Sequence, residues 1–206
     1  MHPPVNALLF TAPGCPHCPG VKAALEGLQR EGKLGELTVM DISQDPAKAA
    51  EYGIRSVPWL QLGDFILTGA QTPSALRQWS ERAASPDGMA GYLEHLLAGG
   101  ELSEAEQLLA RQPQHYPTLL ALLKKADRPM QVGLGISAII ESLGQPELTT
   151  LLSDLLSLAD ESDHRLRADA AHFLGLLNNQ AARAKLSLLR DDPHPEVREI
   201  AAEALD

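Results

Sequence analysis

The chain of 206 residues holds two cysteines, and both fall in one four-residue stretch, Cys15-Pro16-His17-Cys18. Two thiols so spaced can help to ligate a metal or can interconvert between dithiol and disulfide. A structural zinc site takes about four ligands. Here there is one Cys pair, with His17 between the sulfurs and not downstream at ligand spacing, so no metal site is expected beyond transient capture of a thiophilic ion by Cys15 and Cys18. Redox chemistry needs an environment that favours thiolate. The apolar run VNALLFT (5–11) ahead of the pair reads as a buried strand stopped by Ala12-Pro13-Gly14, and Val21, Ala24, Leu25 and Leu28 behind it share one helical face. Cys15 is therefore expected to open a helix, where unsatisfied amides and the helix dipole favour a thiolate. Cys18 follows three residues on, on the same face. Any intramolecular bridge between them is local and does not hold the fold together.

The elements that must position this pair alternate along the first half. ELTVMDI (36–42) reads as a second strand. Asp45-Pro46 supplies an N-cap and a proline for the first helical position, and the short helix behind it ends at Gly53. VPWLQL and FILTG follow, joined by the two-residue loop Gly63-Asp64. Thr72-Pro73 then caps a helix through Leu76, Trp79 and Ala83. The order is βαβαββα, an α/β layer over residues 1–85. Trp59 and Trp79 fit core or edge positions in it better than an exposed contact.

Ser85-Pro86-Asp87-Gly88 breaks the composition, and residues 86–206 read as helices only. Leu143, Leu174 and Leu205 are 31 residues apart, and Ile139, Ala170 and Ala201 keep the same period, as do Ile140, Ala171 and Ala202. Gly144 aligns with Gly175, Leu158 with Leu189, and Leu166-Arg167 with Val197-Arg198. A helix pair that cannot bury its face alone gains a core by stacking, which predicts an α-solenoid. Helices at 89–98, 103–111 and 117–126 are too divergent to align, and Ser103-x-x-Glu106 reads as a capping box for the second of them. The remaining histidines are scattered singly, without carboxylate or cysteine partners at ligand spacing.

Charge narrows the function classes. The chain carries −10 overall. Residues 1–85 hold seven Lys/Arg against eight Asp/Glu, and residues 86–206 hold ten against nineteen, so the acidity lies in the helical half. Nucleic-acid and membrane-surface binding draw on clustered cations and are not expected. No run reaches the ~18 apolar residues of a membrane span. MHPPVNALLF lacks the charged and apolar regions of a secretory leader, which makes a reducing cytoplasm the expected compartment.

Phe10-Thr11-Ala12-Pro13-Gly14-Cys15-Pro16-His17-Cys18 resembles the strand-to-active-site turn of the thioredoxin superfamily. Tyr52-Gly53-Ile54-Arg55-Ser56-Val57-Pro58, whose proline lies 43 residues after Cys15, resembles the segment that leads into that family's cis-proline. The resemblance covers about residues 5–84. It implies that Cys15 is the attacking thiol, that Cys18 is the resolving thiol and disulfide partner, and that Val57-Pro58 is the backbone edge receiving a substrate. The Pro-His pair is similar to that of strongly oxidising relatives, which implies that His17 stabilises the Cys15 thiolate. No resident cofactor is implied, and glutathione is a candidate co-substrate, although Thr68-Gly69-Ala70-Gln71 departs from the glutaredoxin signature. Two further departures stand out. The family's buried acid, six residues before the first Cys, is Leu9 here, and its lysine partner is Val39. Pro19 is expected to remove a donor from the first helical turn. Asp192-Pro193-His194-Pro195-Glu196-Val197-Arg198 with Ala201-Ala202 and Leu205 resembles short HEAT-like repeats, implying a helical domain for protein partners over 86–206. The resulting expectation is a thiol-disulfide oxidoreductase whose helical half selects a protein partner. The alternative is a redox-regulated adaptor whose Cys pair senses and does not turn over.

Overall fold

In the computed structural model β1 (Ala7–Thr11) lies inside a four-stranded sheet of order β2-β1-β3-β4, flanked by β2 (Leu37–Asp41) and β3 (Trp59–Leu62), with β4 (Phe65–Thr68) at one edge. The structure describes residues 3–206; Met1 and His2, at the head of the first expected domain and of the segment read for a leader, lie outside the described residues. β1 pairs in parallel with β2 and antiparallel with β3, and β3 and β4 form the hairpin whose loop is Gly63-Asp64, Gly63 taking the positive φ of 54° that the turn requires.

Alternation along the strands sorts the two faces. Ala7 and Leu9 pair with Leu62 and Leu60, which in turn face Phe65 and Leu67 across the hairpin, and all six are buried. This face lies with α1 (Cys18–Arg30) and α3 (Pro73–Ala83), which pack on each other and bring Val21, Leu25, Leu28, Leu76 and Trp79 into one core. On the opposite face Phe10 is buried against Tyr52 and Trp59, with ring centroids 5.5 and 5.6 Å away. Tyr52 ends α2 (Pro46–Glu51), whose N-cap Asp45 accepts from the Lys48 amide at 2.9 Å. Thr72 caps α3 in the same manner, accepting from Ala75 at 3.1 Å. The observed order is the expected βαβαββα.

The chain divides into two compact units between Tyr92 and Leu93, within α4 (Gly88–Ala98). In the first, Tyr92 is buried, with its ring stacked on Phe65 at 4.3 Å. Its hydroxyl donates to the Ile66 carbonyl at 2.6 Å and accepts from the Ile66 amide at 2.8 Å, closing part of the β4 edge.

The second unit is helical throughout its described residues: α5 (Leu102–Arg111), a 3-10 turn at Pro113–His115, α6 (Tyr116–Leu123), α7 (Met130–Ser142), α8 (Gln145–Thr150), α9 (Leu152–Leu158), α10 (His164–Gly175), α11 (Gln180–Leu189) and α12 (Pro195–Glu203). The expected Ser103 capping box is not formed. Helix α5 begins two residues before such a cap would start it, with Glu101 as N-cap, so Ser103 sits inside the first turn and its hydroxyl accepts from Gln107 at 3.3 Å. The 31-residue period does map onto structure. Ile139, Ala170 and Ala201 occupy equivalent buried positions on α7, α10 and α12, and Leu158 and Leu189 on α9 and α11. Small residues let the helices approach: a Cβ on Gly175 would lie 2.7 Å from that of Ala204. The repeated Leu/Val-Arg also has a physical role. Arg167 donates to the carbonyls of Glu161 and Ser162, both at 2.9 Å, and Arg198 donates to those of Asp192 and Pro193, at 2.8 and 3.1 Å. Each guanidinium ties down the loop ahead of its own helix.

Candidate active site

The C-terminal end of β1 delivers the chain into the turn Ala12-Pro13-Gly14, closed by a hydrogen bond from the Cys15 amide to the Ala12 carbonyl at 3.2 Å; Gly14 has a φ of 76°. Cys15 does not open the helix. α1 starts at Cys18 with His17 as N-cap, and Cys15 precedes it in the turn. Pro16 disfavours a helical conformation at Cys15, and Pro19 falls within the first two helical positions, where an amide would have no intrahelical partner. The expected cost of Pro19 is therefore absent: it removes a donor that the helix does not use.

This start places the sulfurs asymmetrically. Cys15 is half-buried, and its Sγ accepts a hydrogen bond from the Cys18 amide at 3.2 Å. Cys18 is buried, 4% exposed, on the face of α1 that carries Val21 and Leu25. The two sulfurs are joined in a disulfide, with Cα atoms 5.6 Å apart. In the disulfide the Cys15 sulfur sits at an amide of the helix N-terminus, a position where a helix favours negative charge. The Cys18 sulfur is the one withdrawn from solvent.

His17 is exposed and makes no side-chain cap on α1. Leu9 is fully buried in β1, and Val39, its cross-strand neighbour in the β1–β2 register, is 38% exposed. Neither side chain can accept a proton.

Val57-Pro58 is a cis peptide immediately before β3. The antiparallel pairing of Phe10 with Trp59 puts Thr11 and Pro58 at the same end of the sheet, the end from which the cysteine turn departs. Three contacts hold that end. The Gly69 amide donates to the Pro58 carbonyl at 2.9 Å, tying β4 to the proline. Trp59 is 6% exposed and packs edge-on to Phe10, and Tyr52, at the start of the loop leading to Pro58, packs edge-on to Trp59 at 5.7 Å. Trp79 is buried in the other core. In the sequence Tyr52 is marked only by its place at the head of Tyr-Gly-Ile-Arg-Ser-Val-Pro.

A hollow of about 390 Å³ opens on the sheet face that carries Leu8, Thr38, Met40 and Gln61. Neither cysteine nor Pro58 lines it. The histidines require one correction. His164 and His194 are far apart in sequence, yet their rings stack 3.7 Å apart at the N-termini of α10 and α12, with Glu196 beside both. Stacking of consecutive repeats, which linear spacing does not reveal, brings them together.

Residues 7–81 match a family described as the thioredoxin domain, and residues 116–206 match HEAT repeats. The chain is similar to a thioredoxin of Methanocaldococcus jannaschii, 41% identical over 74 residues that make up 35% of this chain and 87% of that protein. It is similar also to a probable thioredoxin of Methanothermobacter thermautotrophicus, 33% identical over 63 residues, 30% of this chain and 74% of that protein. A thioredoxin of Streptomyces clavuligerus is 35% identical over 72 residues, 32% of this chain and 67% of that protein. Among the described residues no helix is long and apolar enough to cross a membrane.

Proposed function

The chain belongs to the thioredoxin family, and from that premise we propose that it is a thiol-disulfide oxidoreductase in which Cys15 attacks, Cys18 resolves and Val57-Pro58 receives the substrate. The observation that carries the assignment is the asymmetry of the pair: Cys15 is half-buried and its sulfur accepts from the Cys18 amide, whereas Cys18 is 4% exposed.

Reduction of a target proceeds in two exchanges. The Cys15 thiolate attacks one sulfur of the target disulfide, and the other leaves as a thiolate that takes a proton from solvent. Cys18 then loses its proton to water or His17 and attacks the Cys15 sulfur, forming the Cys15–Cys18 disulfide and releasing the second target thiol. The target gains two electrons and the dithiol loses two. With Leu9 and Val39 unable to move protons, His17 and the helix N-terminus are the groups that favour thiolate, and both weigh on the reduced state. Glutathione or a dithiol reductant closes the cycle in a reducing cytoplasm, and no resident cofactor is required.

Residues 1–85 carry the chemistry in this reading, and the helical repeats in 86–206 select a protein partner. An excess of nine acidic residues there favours a partner with a basic face. The test is turnover. The full chain should catalyse reduction of a protein disulfide such as that of insulin by a small dithiol, and Cys15→Ser or Cys18→Ser should abolish it. If the disulfide forms and breaks but no turnover above the uncatalysed rate occurs, the pair is a sensor and the chain an adaptor.

A further inference from the structure

We propose that His164, His194 and Glu196 form a binding site for one divalent transition-metal ion of the zinc class, bridging two consecutive helical repeats and independent of the thiol chemistry. The nitrogen and oxygen donors of these three residues lie within 4.8 Å of one another. Glu196 Oε2 stands 4.0 Å from His164 Nε2 and 3.9 Å from His194 Nδ1. The imidazole rings stack at a centroid distance of 3.7 Å and an angle of 22°. His194 Nδ1 is buried and has no hydrogen-bond partner among the described residues. A buried ring nitrogen without a partner is costly unless something occupies its lone pair or takes its proton. A metal ion supplied between the three side chains would do so.

The geometry is close to what an ion demands. Zinc binds imidazole nitrogen and carboxylate oxygen at about 2.0–2.2 Å, so donors sharing a tetrahedral ion sit about 3.4 Å apart. Closing the observed distances to that value requires movements of about an ångström, within reach of side-chain rotation by the exposed Glu196 and the half-buried His164.

The backbone beneath is already fixed. The Asp192 carboxylate accepts from the His194 amide at 2.8 Å and is gripped by Arg167 through two hydrogen bonds of 2.8 and 2.9 Å. α10 and α12 pack directly on each other, which holds the two histidines at neighbouring helix N-termini.

Charge decides which residues are indispensable. Helix N-termini oppose a cation, so the site needs the carboxylate of Glu196, in the first turn of α12, to offset them. Asp163, 3.9 Å from His164 Nδ1, is engaged by Arg165 at 2.7 Å and stays outside the ligand set. Two imidazoles and one carboxylate suit zinc or copper over magnesium or calcium. Three protein ligands leave a fourth position open to water. Binding would pin the loops before two adjacent helices and stabilise the repeats by linkage.

The test uses the full chain without a histidine tag, with Cys15–Cys18 oxidised so that no thiolate competes. Zn2+ titrated by calorimetry should bind one equivalent, and Mg2+ should not. His164→Ala and His194→Ala should each weaken zinc by about tenfold or more, and Glu196→Gln should weaken it too. His194→Gln serves in place of His194→Ala if the latter unfolds. Zinc should also raise the unfolding temperature of the helical signal in circular dichroism in the parent and not in the His194 variant. The proposal is overturned if zinc gives no saturable binding, or if binding is unchanged in both histidine variants.

Discussion

Tyr92→Phe removes one oxygen atom from the β4 edge and leaves the ring. That oxygen donates to the Ile66 carbonyl at 2.6 Å and accepts from its amide at 2.8 Å, so both backbone groups lose a protein partner at once. The ring stacked on Phe65 is retained, so packing changes little. Leaving buried donors and acceptors unsatisfied costs about 1–3 kcal/mol each. Half-exposed Ile66 will recover part of this through water, which puts the net loss at about 2 kcal/mol. That is roughly a thirtyfold fall in the folded-to-unfolded ratio of this unit. The assay can isolate it, since the chain's two tryptophans, Trp59 and Trp79, both lie in the first unit. Guanidinium unfolding followed by tryptophan fluorescence should show a lower midpoint with an unchanged slope. If Tyr92→Phe unfolds within about 0.5 kcal/mol of the parent, water already satisfies the edge and the hydroxyl is not structural.

A chain ending at residue 98 should keep a stable redox unit, and one ending at 85, which lacks Tyr92, should unfold at lower guanidinium; equal midpoints would refute the edge argument. In the repeats, Arg167 and Asp192 are 13% and 5% exposed at the side chain, and Arg167→Ala should destabilise the helical unit by about 2–3 kcal/mol in thermal circular dichroism. The Arg167 hydrogen bonds hold the Asp192 carboxyl below the usual carboxylate range. The pair's contribution is therefore fully present above the unfolded aspartate value of about 3.9 and is lost as pH falls through the lowered folded value; Asp192→Asn should flatten that acid limb. His17→Ala should make the Cys15–Cys18 couple more reducing in a glutathione titration while leaving the unfolding midpoint unchanged, and an unaltered potential would make His17 a bystander.

Much of this was legible in the sequence because short-range chemistry sets it. Asp45-Pro46 and Thr72-Pro73 start helices through caps that need only three or four neighbouring residues. Gly63-Asp64 closes its hairpin by local backbone preference. The 31-residue period survives because Ile139, Ala170 and Ala201, and likewise Leu158 and Leu189, are buried at the same place in their repeats. The helix start was misplaced by three residues: an apolar face beginning at Val21 does not say where the first turn lies, whereas Pro19 in its usual first-turn place does. Ser103 failed as a cap because Glu101 follows Gly99-Gly100, where the chain turns and α5 starts early. Tyr92 on the β4 edge and the convergence of His164 with His194 depend on tertiary packing, and no local pattern announces either one.

The assignment of roles within Cys15-Pro16-His17-Cys18 is tested most directly by trapping. Reduced Cys18→Ser and Cys15→Ser variants are each mixed with an excess of a small aromatic disulfide, and the adducts are counted by intact-mass spectrometry. A stable mixed disulfide should form on Cys15 in the Cys18→Ser chain, and little or none in the Cys15→Ser chain, where the remaining cysteine is the buried one. Equal or faster trapping on Cys18 would contradict the assignment.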